Sequence, residues 1–452
     1  MATGSSTTGI KRVKNPAFND LLEKRYFQFF RQRTVASTNS IANCRFWDRV
    51  VLQACHTTPA VKHAVLALSS LHQLSSLPFD DGRGSQHRIY AERQHKKALE
   101  EARTLIATST PEDVDRILIA CIIFIIFEGV RGDYTAVSVH MDSGRAIVAQ
   151  HLDRLKATSR RKDLEEIEHA LARLDLPAIC FSDQSSPYRY TLMDFYHTSP
   201  FLTPCRFQDI HEAQVSLVDL ARWLLLAGDH IDFAELHGDL RSMAKYQAEK
   251  VKCAAQVEEW YGHFLDAVDR TDNSDRLLIL TLKLWHSCMT MLIRAETYGP
   301  EMRYDAFMPL FERTVQYGEQ IVERLADRNH TRSFSLELGY IIPIYVTATR
   351  CRDPYLRRRA IDLLQKHPRQ EGVWKSLAAA AVASRWVAVE EEGLGQVRYS
   401  TDVPEHRRIR FIDTQVDIEG KVASVKLTTR GGEKSHEVSA GWKSESAHVT
   451  PN

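Results

Sequence analysis

The stretch RDPYLRRRAIDLLQKHPRQEGVW, residues 352–374, has the features of a short helix that packs on one side. Asp353 is a candidate N-cap, and Pro354 follows in the first turn, where a missing N–H leaves no hydrogen bond unmade. The helix must end before Pro368, since proline cannot continue it. Four apolar residues share one face at helical spacing: Leu356, Ala360, Leu363 and Leu364. This face needs a core to cover it.

The three consecutive arginines allow two interpretations. On this helix Arg358 points away from the apolar face, while Arg357 and Arg359 flank it and can lay their stems over apolar surface. Asp362 lies one turn from Arg358 and Arg359. The pattern favours a solvated basic face over a phosphate-binding site, which is kept as the alternative.

The same helical periodicity recurs along most of the chain. In the first half it predicts helices in FNDLLEKRYFQFFRQRT (18–34), near 43–55, 58–76 and 86–107, after Thr110 and Pro111, at 134–151, and in SRRKDLEEIEHALARL (159–174). In the second half it predicts helices near 211–228, 236–268, 275–298, 306–328, 335–350, 354–366 and 373–391. The apolar run 117–127, ILIACIIFIIF, is shorter than the roughly 20 residues that cross a bilayer, so it predicts a buried helix.

These patterns predict an all-α fold, a large multi-helix bundle or solenoid-like array of antiparallel helices without a fixed repeat period. A disordered lead is expected at 1–16 and a helical body at 17–412. The body divides into halves at about 17–176 and 211–391, joined by a proline-containing irregular connection at 177–210. The tail, 413–452, is expected to form a small hairpin around Val416–Leu427. Residues 431–452, rich in Gly, Ser, Glu and Lys, are expected to be disordered.

The net charge and the spacing of the cysteines argue against several classes of protein. The chain has 59 Lys and Arg against 58 Asp and Glu, a net charge of +1, so no global basic field draws it to nucleic acid or lipid. The eight cysteines are at least eleven positions apart, which is typical of reduced core thiols and unlike a disulfide framework or a zinc site.

The search for catalytic motifs assigns no catalytic, cofactor-binding or metal-binding residue. HEAQV at 211 has no second histidine one turn later, and the glycine-rich phosphate-binding motifs are absent. Asp80–Asp81 precedes a glycine turn and lacks the third carboxylate that a metal-binding helix of an all-α cyclase would need. His72 and His140 are interpreted as hydrogen-bonded core histidines. Core packing accounts for six tryptophans, some of which could also line a cavity: Trp47, Trp223, Trp260, Trp285, Trp374 and Trp386.

The chain nevertheless resembles a known family. GYIIPIYVTATRCRDPYLRRRAIDLLQKHPRQEGVWKS, AAVASRWVAVEEEGL and VPEHRRIR resemble the C-terminal part of the fungal-specific transcription factor domain of fungal zinc-cluster regulators. YFQFFRQRTV, FWDRVVLQACHTTPAVKHAVLALSSLH, YAERQHKKALEEAR and IACIIFIIFEGVRGDYTAVSVHMDSGRAIV resemble its N-terminal part. Together these segments span roughly residues 20–412.

The resemblance implies a noncatalytic transcriptional regulator in the nucleus, with the cytoplasm as the alternative location. It implies contacts with other transcription factors or the transcription machinery, and leaves a small-molecule effector and a dimer open. No membrane partner and no cofactor are expected. A helical scaffold or an all-α enzyme are the alternative functions.

The sequence departs from the family pattern at its start. Members carry a zinc cluster of six closely spaced cysteines that reads DNA, whereas the first cysteine here is Cys44, inside the helical body. Lys11, Arg12 and Lys14 could contact phosphates but could not read base edges. Sequence-specific DNA binding by this chain alone is therefore not expected.

Overall fold

The first half of the chain is built from α-helices, several of which pack against the next helix along the chain. The computed structural model describes residues 18, 20–42, 44–75, 84–108, 110, 113–156, 161–181, 206–271, 275–295, 299–327, 334–335, 338–417, 422–429 and 432–438. π-helical turns at Phe30–Thr34 and Phe46–Val51 accompany the first short helices. The α-helices of this half are α1 (Leu21–Phe29), α2 (Val35–Thr38), α3 (Leu52–Thr57), α4 (Pro59–Ser75), α5 (Gly84–Thr108), α6 (Val114–Arg131), α7 (Tyr134–Lys156) and α8 (Arg161–Phe181).

The second half of the chain is also built mainly from α-helices. Its α-helices are α9 (Ile210–Leu236), α10 (Leu240–Val268), α11 (Arg276–Arg294), α12 (Met308–Asp327), α13 (Ile341–Arg350), α14 (Pro354–Lys366) and α15 (Ser376–Glu391). Short 3-10 turns lie at Glu301–Phe307, Ser400–Asp402 and Glu405–Arg407. The all-α prediction is confirmed.

Local signals account for several helix ends. The Asp353 side chain accepts hydrogen bonds from the N–H groups of Tyr355 and Leu356, and Pro354 starts α14 as predicted. Helix α6 ends where Gly132 adopts a left-handed conformation, with φ at 89°, and its N–H donates to the Glu128 carbonyl. A residue with a Cβ would be strained at this position, which explains a glycine there.

One hydrophobic core runs through both halves. Helix α6 lies in its middle, with every residue from Leu118 to Gly129 buried, as the apolar run predicted. Among the described helices, α11 is long and apolar enough to cross a membrane by length and composition alone. However, 67% of its apolar window is buried inside the protein, as in the core helix of a globular protein.

A small antiparallel sheet follows the helices, in the order β4 (Ile409–Asp417), β5 (Val422–Thr429) and β6 (Gly432–Val438). Its first two strands confirm the predicted hairpin. The disorder expected from residue 431 onward is wrong for β6, because a polar segment can still pair its backbone with a neighbouring strand. Residues 439–452 lie outside the described part of the chain, as does the lead at 1–16.

Three two-residue strands form a second, very small sheet: β1 (Phe334–Ser335), β2 (Gln370–Glu371) and β3 (Trp374–Lys375). They shorten two predicted helices, since α13 begins at Ile341 instead of 335 and α15 at Ser376 instead of 373. Helix α8 extends to Phe181 with Pro177 inside it, so the irregular connection begins later than predicted. Most of that connection, 182–205, lies outside the described residues.

Candidate functional site

The opening stretch leads to a cluster of buried charges. We call Glu301, Arg350, Arg352, Arg357 and Glu390 the arginine–glutamate cluster. Arg352 lies in the link between α13 and α14, Arg357 in the first turns of α14, and Glu390 in the last turn of α15. The side chains of Arg352, Arg357 and Glu390 have no exposed surface. Charges this deeply buried are stable only when they are paired and hydrogen-bonded.

The Glu390 carboxylate is the centre of the cluster. Its Oε1 accepts from Arg352 Nη2 at 2.8 Å, and its Oε2 accepts from Arg357 Nη2 at 2.8 Å. Oε1 also accepts from the Ile409 N–H at 2.8 Å and from Trp386 Nε1 at 3.0 Å. One buried carboxylate thus joins α14, α15 and the first residue of β4.

Glu301 holds the other side of the cluster. Its Oε2 accepts from Arg350 Nη1 at 2.8 Å and from Arg352 Nη1 at 3.2 Å. Arg352 also donates to the carbonyls of Arg350 and Ile409, at 2.8 and 3.2 Å. Arg350 donates to the Arg410 carbonyl at 3.2 Å. The start of β4 is therefore fixed through its main chain by two arginines.

The pKa shifts follow from this geometry. Burial alone would raise the pKa of Glu390, but Arg352 and Arg357 outweigh burial and lower the pKa to about 2. Burial would also raise the pKa of Glu301, but Arg350 and Arg352 outweigh burial, so the pKa of Glu301 is lowered. Both carboxylates are ionised at neutral pH and turn their oxygens toward arginines. The arrangement stabilises the fold and offers no proton to an external molecule.

The structure corrects the interpretation of the three arginines. A solvated basic face is wrong for Arg357, which is fully buried, while Arg358 and Arg359 do reach the surface. Ile361 is also buried, which widens the apolar arc of α14 so that Arg357 falls inside it. The surface arginines pair with Glu391 and Glu319, and not with the nearby Asp362.

Arg358→Ala is therefore expected to lower the free energy of unfolding by at most about 1 kcal/mol. Its side chain is 51% exposed, and its partner Glu391 lies at the surface end of the cluster. Urea unfolding of the variant and of the unmodified chain measures the difference. A loss of several kcal/mol would contradict the assignment of Arg358 to the surface.

Glu371 is a second buried carboxylate, and it lies in the segment 369–375. Glu371 accepts from the N–H groups of Tyr340 and Ile341, at 3.1 and 2.9 Å, and so caps the start of α13. Its carboxylate lies 3.1 Å from Arg369 Nε. A Cβ at Gly339 would fall 1.8 Å from Glu371 Oε1, so only glycine fits there.

This segment also reaches the first half of the chain. Trp374 Nε1 donates to the Pro177 carbonyl at 2.8 Å, and Lys375 Nζ donates to the Val130 carbonyl at 3.3 Å. Burial lowers the pKa of Lys375 to about 8. Residues 352–375 as a whole thus connect α14 and α15, the C-terminal sheet, and helices α6 and α8.

The histidines singled out from the sequence lie among packed helices. His72 is buried, with its Nδ1 2.9 Å from Thr34 Oγ1, and burial lowers its pKa to about 4. His140 is half-buried beside Phe124, and burial lowers its pKa as well. His211 lies in the first turn of α9, with Nε2 3.9 Å from Asp275 Oδ1. Asp80 and Asp81 lie outside the described residues.

The six tryptophans are all buried. Three of them donate their indole N–H to a backbone carbonyl: Trp260 to Ala213, Trp285 to Gly339 and Trp374 to Pro177. The cysteines in the described part of the chain are free thiols, and all of these except Cys180 are buried. Within that part, no three His, Cys, Asp or Glu side chains lie close enough together to hold a metal ion.

Sequence reasoning missed the buried pair of His95 and Glu128. His95 Nε2 lies 2.7 Å from Glu128 Oε1, and the imidazole stacks on Phe127 with ring centroids 4.2 Å apart. Arg131 Nη1 donates to Glu128 Oε2 at 3.1 Å. A carboxylate immediately after the apolar run was the available signal, because a buried glutamate requires a nearby cation.

Comparison with known proteins shows what the first half of the chain is similar to. Residues 25–178, which fall on α1–α8, match the family model of the fungal specific transcription factor domain. The aspercryptin biosynthesis cluster-specific transcription regulator atnN of Emericella nidulans is 21% identical in an alignment that covers 82% of this chain and 74% of that protein. No solved structure matches the chain. The match over residues 25–178 confirms the resemblance seen in the sequence for that part of the chain, which is similar to the fungal specific transcription factor domain.

Proposed function

We propose that this chain is a noncatalytic transcriptional regulator whose helical body acts through contacts with other transcription factors or the transcription machinery. The observation that carries the proposal is the domain match over α1–α8. The alignment with a transcription regulator over most of both chains supports it. The same family supports action in the nucleus.

The continuous core supports a body that works as one unit. The matched helices α1–α8 share that core with α9–α15, and residues 369–375 connect the two halves through hydrogen bonds. A partner or a small effector that binds one half can therefore influence the other, provided that it prefers one arrangement of the helices. We therefore include in the proposal a small effector that binds among the helices and changes the activity of the regulator.

We do not assign the recognition of DNA sequence to these 452 residues. The 452 residues contain no closely spaced cysteines of the kind that build a zinc cluster. We infer that base sequence is read by a partner, or by a segment outside these residues. The helical body would then set the activity of that reader.

A tethering experiment tests the proposal. The 452-residue chain is fused to an unrelated DNA-binding domain, and transcription of a reporter with sites for that domain is measured in fungal cells. We expect a change in either direction relative to the DNA-binding domain alone. An unchanged reporter, with the fusion present in the nucleus, would contradict the proposal.

The second arm of the experiment measures DNA binding by the unfused chain. At physiological salt we expect equal affinity for a promoter fragment and for a random duplex, since phosphate contacts carry no sequence information. A footprint confined to one sequence would contradict the assignment of DNA recognition to another module.

A further inference from the structure

Helix α10 has an unusual outward side. Its inward side packs on α9 and α11 through Tyr246, Cys253, Val257, Trp260, Phe264 and Ala267. The outward side of such a helix normally carries charged and polar residues. Here six apolar residues are exposed, which we call the α10 stripe: Leu240, Ala244, Ala248, Val251, Ala255 and Leu265.

The α10 stripe is long: five of its members recur every three or four residues from Leu240 to Ala255, and Leu265 lies ten residues further on. At 100° per residue its members fall within an arc of about 100°, and it extends over about 38 Å. Leu240 is 76% exposed, Val251 62% and Leu265 40%. Within α10, Glu258 and Asp266 are charged residues on this arc, and Gly262 also lies on it, between Ala255 and Leu265. Exposed apolar residues grouped on one side of a helix are typical of an interaction site.

The charges around the stripe are divided between its two ends. The first half of α10 presents exposed cations at Arg241, Lys245 and Lys252, and the second half presents exposed anions at Glu258, Glu259 and Asp266. Glu249 in the first half is already 2.7 Å from Lys252. A surface that is basic at one end and acidic at the other is complementary to itself when one copy is reversed.

An antiparallel register brings the end leucines together and matches the charges of the two ends, with Glu258 of each copy close to Ala248 of the other. If Leu240 of one copy lies against Leu265 of the other, Val251 and Ala255 meet near the two-fold axis. The same register brings Arg241 close to Asp266 and Lys245 close to Glu259 of the opposite copy. In a parallel pair the basic halves would face each other and repel, so the charges select the antiparallel arrangement.

We propose that the α10 stripe docks a second copy of this chain, with the two α10 helices antiparallel about a two-fold axis. The proposal goes beyond the transcriptional role and does not depend on it. One helix pair is a small interface, so the dimer should form reversibly with concentration.

Sedimentation velocity of the 452-residue chain over a concentration series tests the proposal. We expect a monomer–dimer equilibrium that Val251→Glu weakens about tenfold or more, because two carboxylates would meet near the axis. Val139→Glu on α7 is the matched control, since Val139 is 59% exposed and distant in sequence, and it should leave association unchanged. Dimers that persist equally in both variants would overturn the proposal.

Charge reversal tests the complementarity. The variant Arg241→Glu with Lys245→Glu reverses two of the three exposed cations of the first half of α10, and the variant Glu259→Lys with Asp266→Lys reverses two of the three exposed anions of the second half. Each should self-associate more weakly than the unmodified chain, and a mixture of the two should form a heterodimer. A mixture that stays monomeric would overturn the role of these charges and the proposal with it.

Cysteine cross-linking tests the orientation. A mixture of Leu240→Cys and Leu265→Cys chains should form a disulfide-linked pair on mild oxidation, whereas Leu240→Cys alone should not exceed the unmodified chain. Cross-linking by Leu240→Cys alone would indicate a parallel pair and overturn the proposal. A strictly monomeric chain would also overturn it. In that case a protected Val251→Cys thiol would indicate coverage by the chain itself, and a readily labelled thiol would indicate a different protein.

Discussion

Glu390→Gln is expected to lower the free energy of unfolding by about 3–5 kcal/mol, the cost of breaking a buried ion pair from one side. The substitution keeps the shape of the side chain but removes its charge. Arg352 and Arg357 would remain fully buried, and the nearest carboxylates left to them are Glu301 for Arg352 and Glu391 for Arg357. Urea unfolding at pH 7 measures the loss.

A surface pair provides the control for this prediction. Glu319→Gln breaks the pair with Arg359, whose side chains are 26% (Arg359) and 41% (Glu319) exposed, and should cost less than about 1 kcal/mol. Equal losses for the two variants would contradict the central role of Glu390.

Acid should reduce the difference between the unmodified chain and Glu390→Gln. The folded pKa of Glu390 is about 2, below the value of about 4.3 for an unfolded glutamate. Its contribution is therefore complete above the unfolded pKa and is lost as the pH falls toward 2. Unfolding both proteins between pH 7 and pH 3 measures this, and a difference that widens toward low pH would contradict the lowered pKa.

Leu363→Ala is expected to lower the free energy of unfolding by about 2–5 kcal/mol. Leu363 is buried in α14 and lies against Gly318 of α12, where an added Cβ would come within 3.3 Å of Leu363 Cδ1. Removing the side chain leaves a cavity that helices on several sides cannot all move to fill. Urea unfolding at pH 7 again measures the difference.

Leu21→Ala is the matched control for the cavity. Leu21 begins α1 and is 82% exposed, so the same chemical change removes little buried surface there. We expect its effect to stay within about 0.5 kcal/mol. A loss at Leu363 no larger than that at Leu21 would indicate that α14 does not pack as described.

Much of the helical fold could be predicted because its signals are local. Asp353 and Pro354 define the start of α14, Gly132 defines the end of α6, and the run 117–127 identifies the central buried helix. Each signal acts within one or two turns of the chain. Apolar spacing then fixes which side of each helix is covered.

The arginine–glutamate cluster could not be predicted in this way, because its partners are distant in sequence. Glu390 is more than thirty residues from Arg352 and Arg357, and spacing within α14 alone placed Arg357 at the edge of the apolar face. Including Ile361 in that face would have moved Arg357 inside it. Its partner would still have been unknown, since no local rule relates α14 to α15.

The Ile409 N–H donates a hydrogen bond to Glu390, so the start of the C-terminal sheet covers the buried carboxylate at the end of α15. A shortened protein that ends before Ile409 would open a path for water to an anion that is otherwise enclosed, and would deprive Arg350 and Arg352 of carbonyl acceptors. Deletions meant to isolate the helices should therefore retain this strand, and loss of the tail by proteolysis would weaken a region far larger than the segment removed.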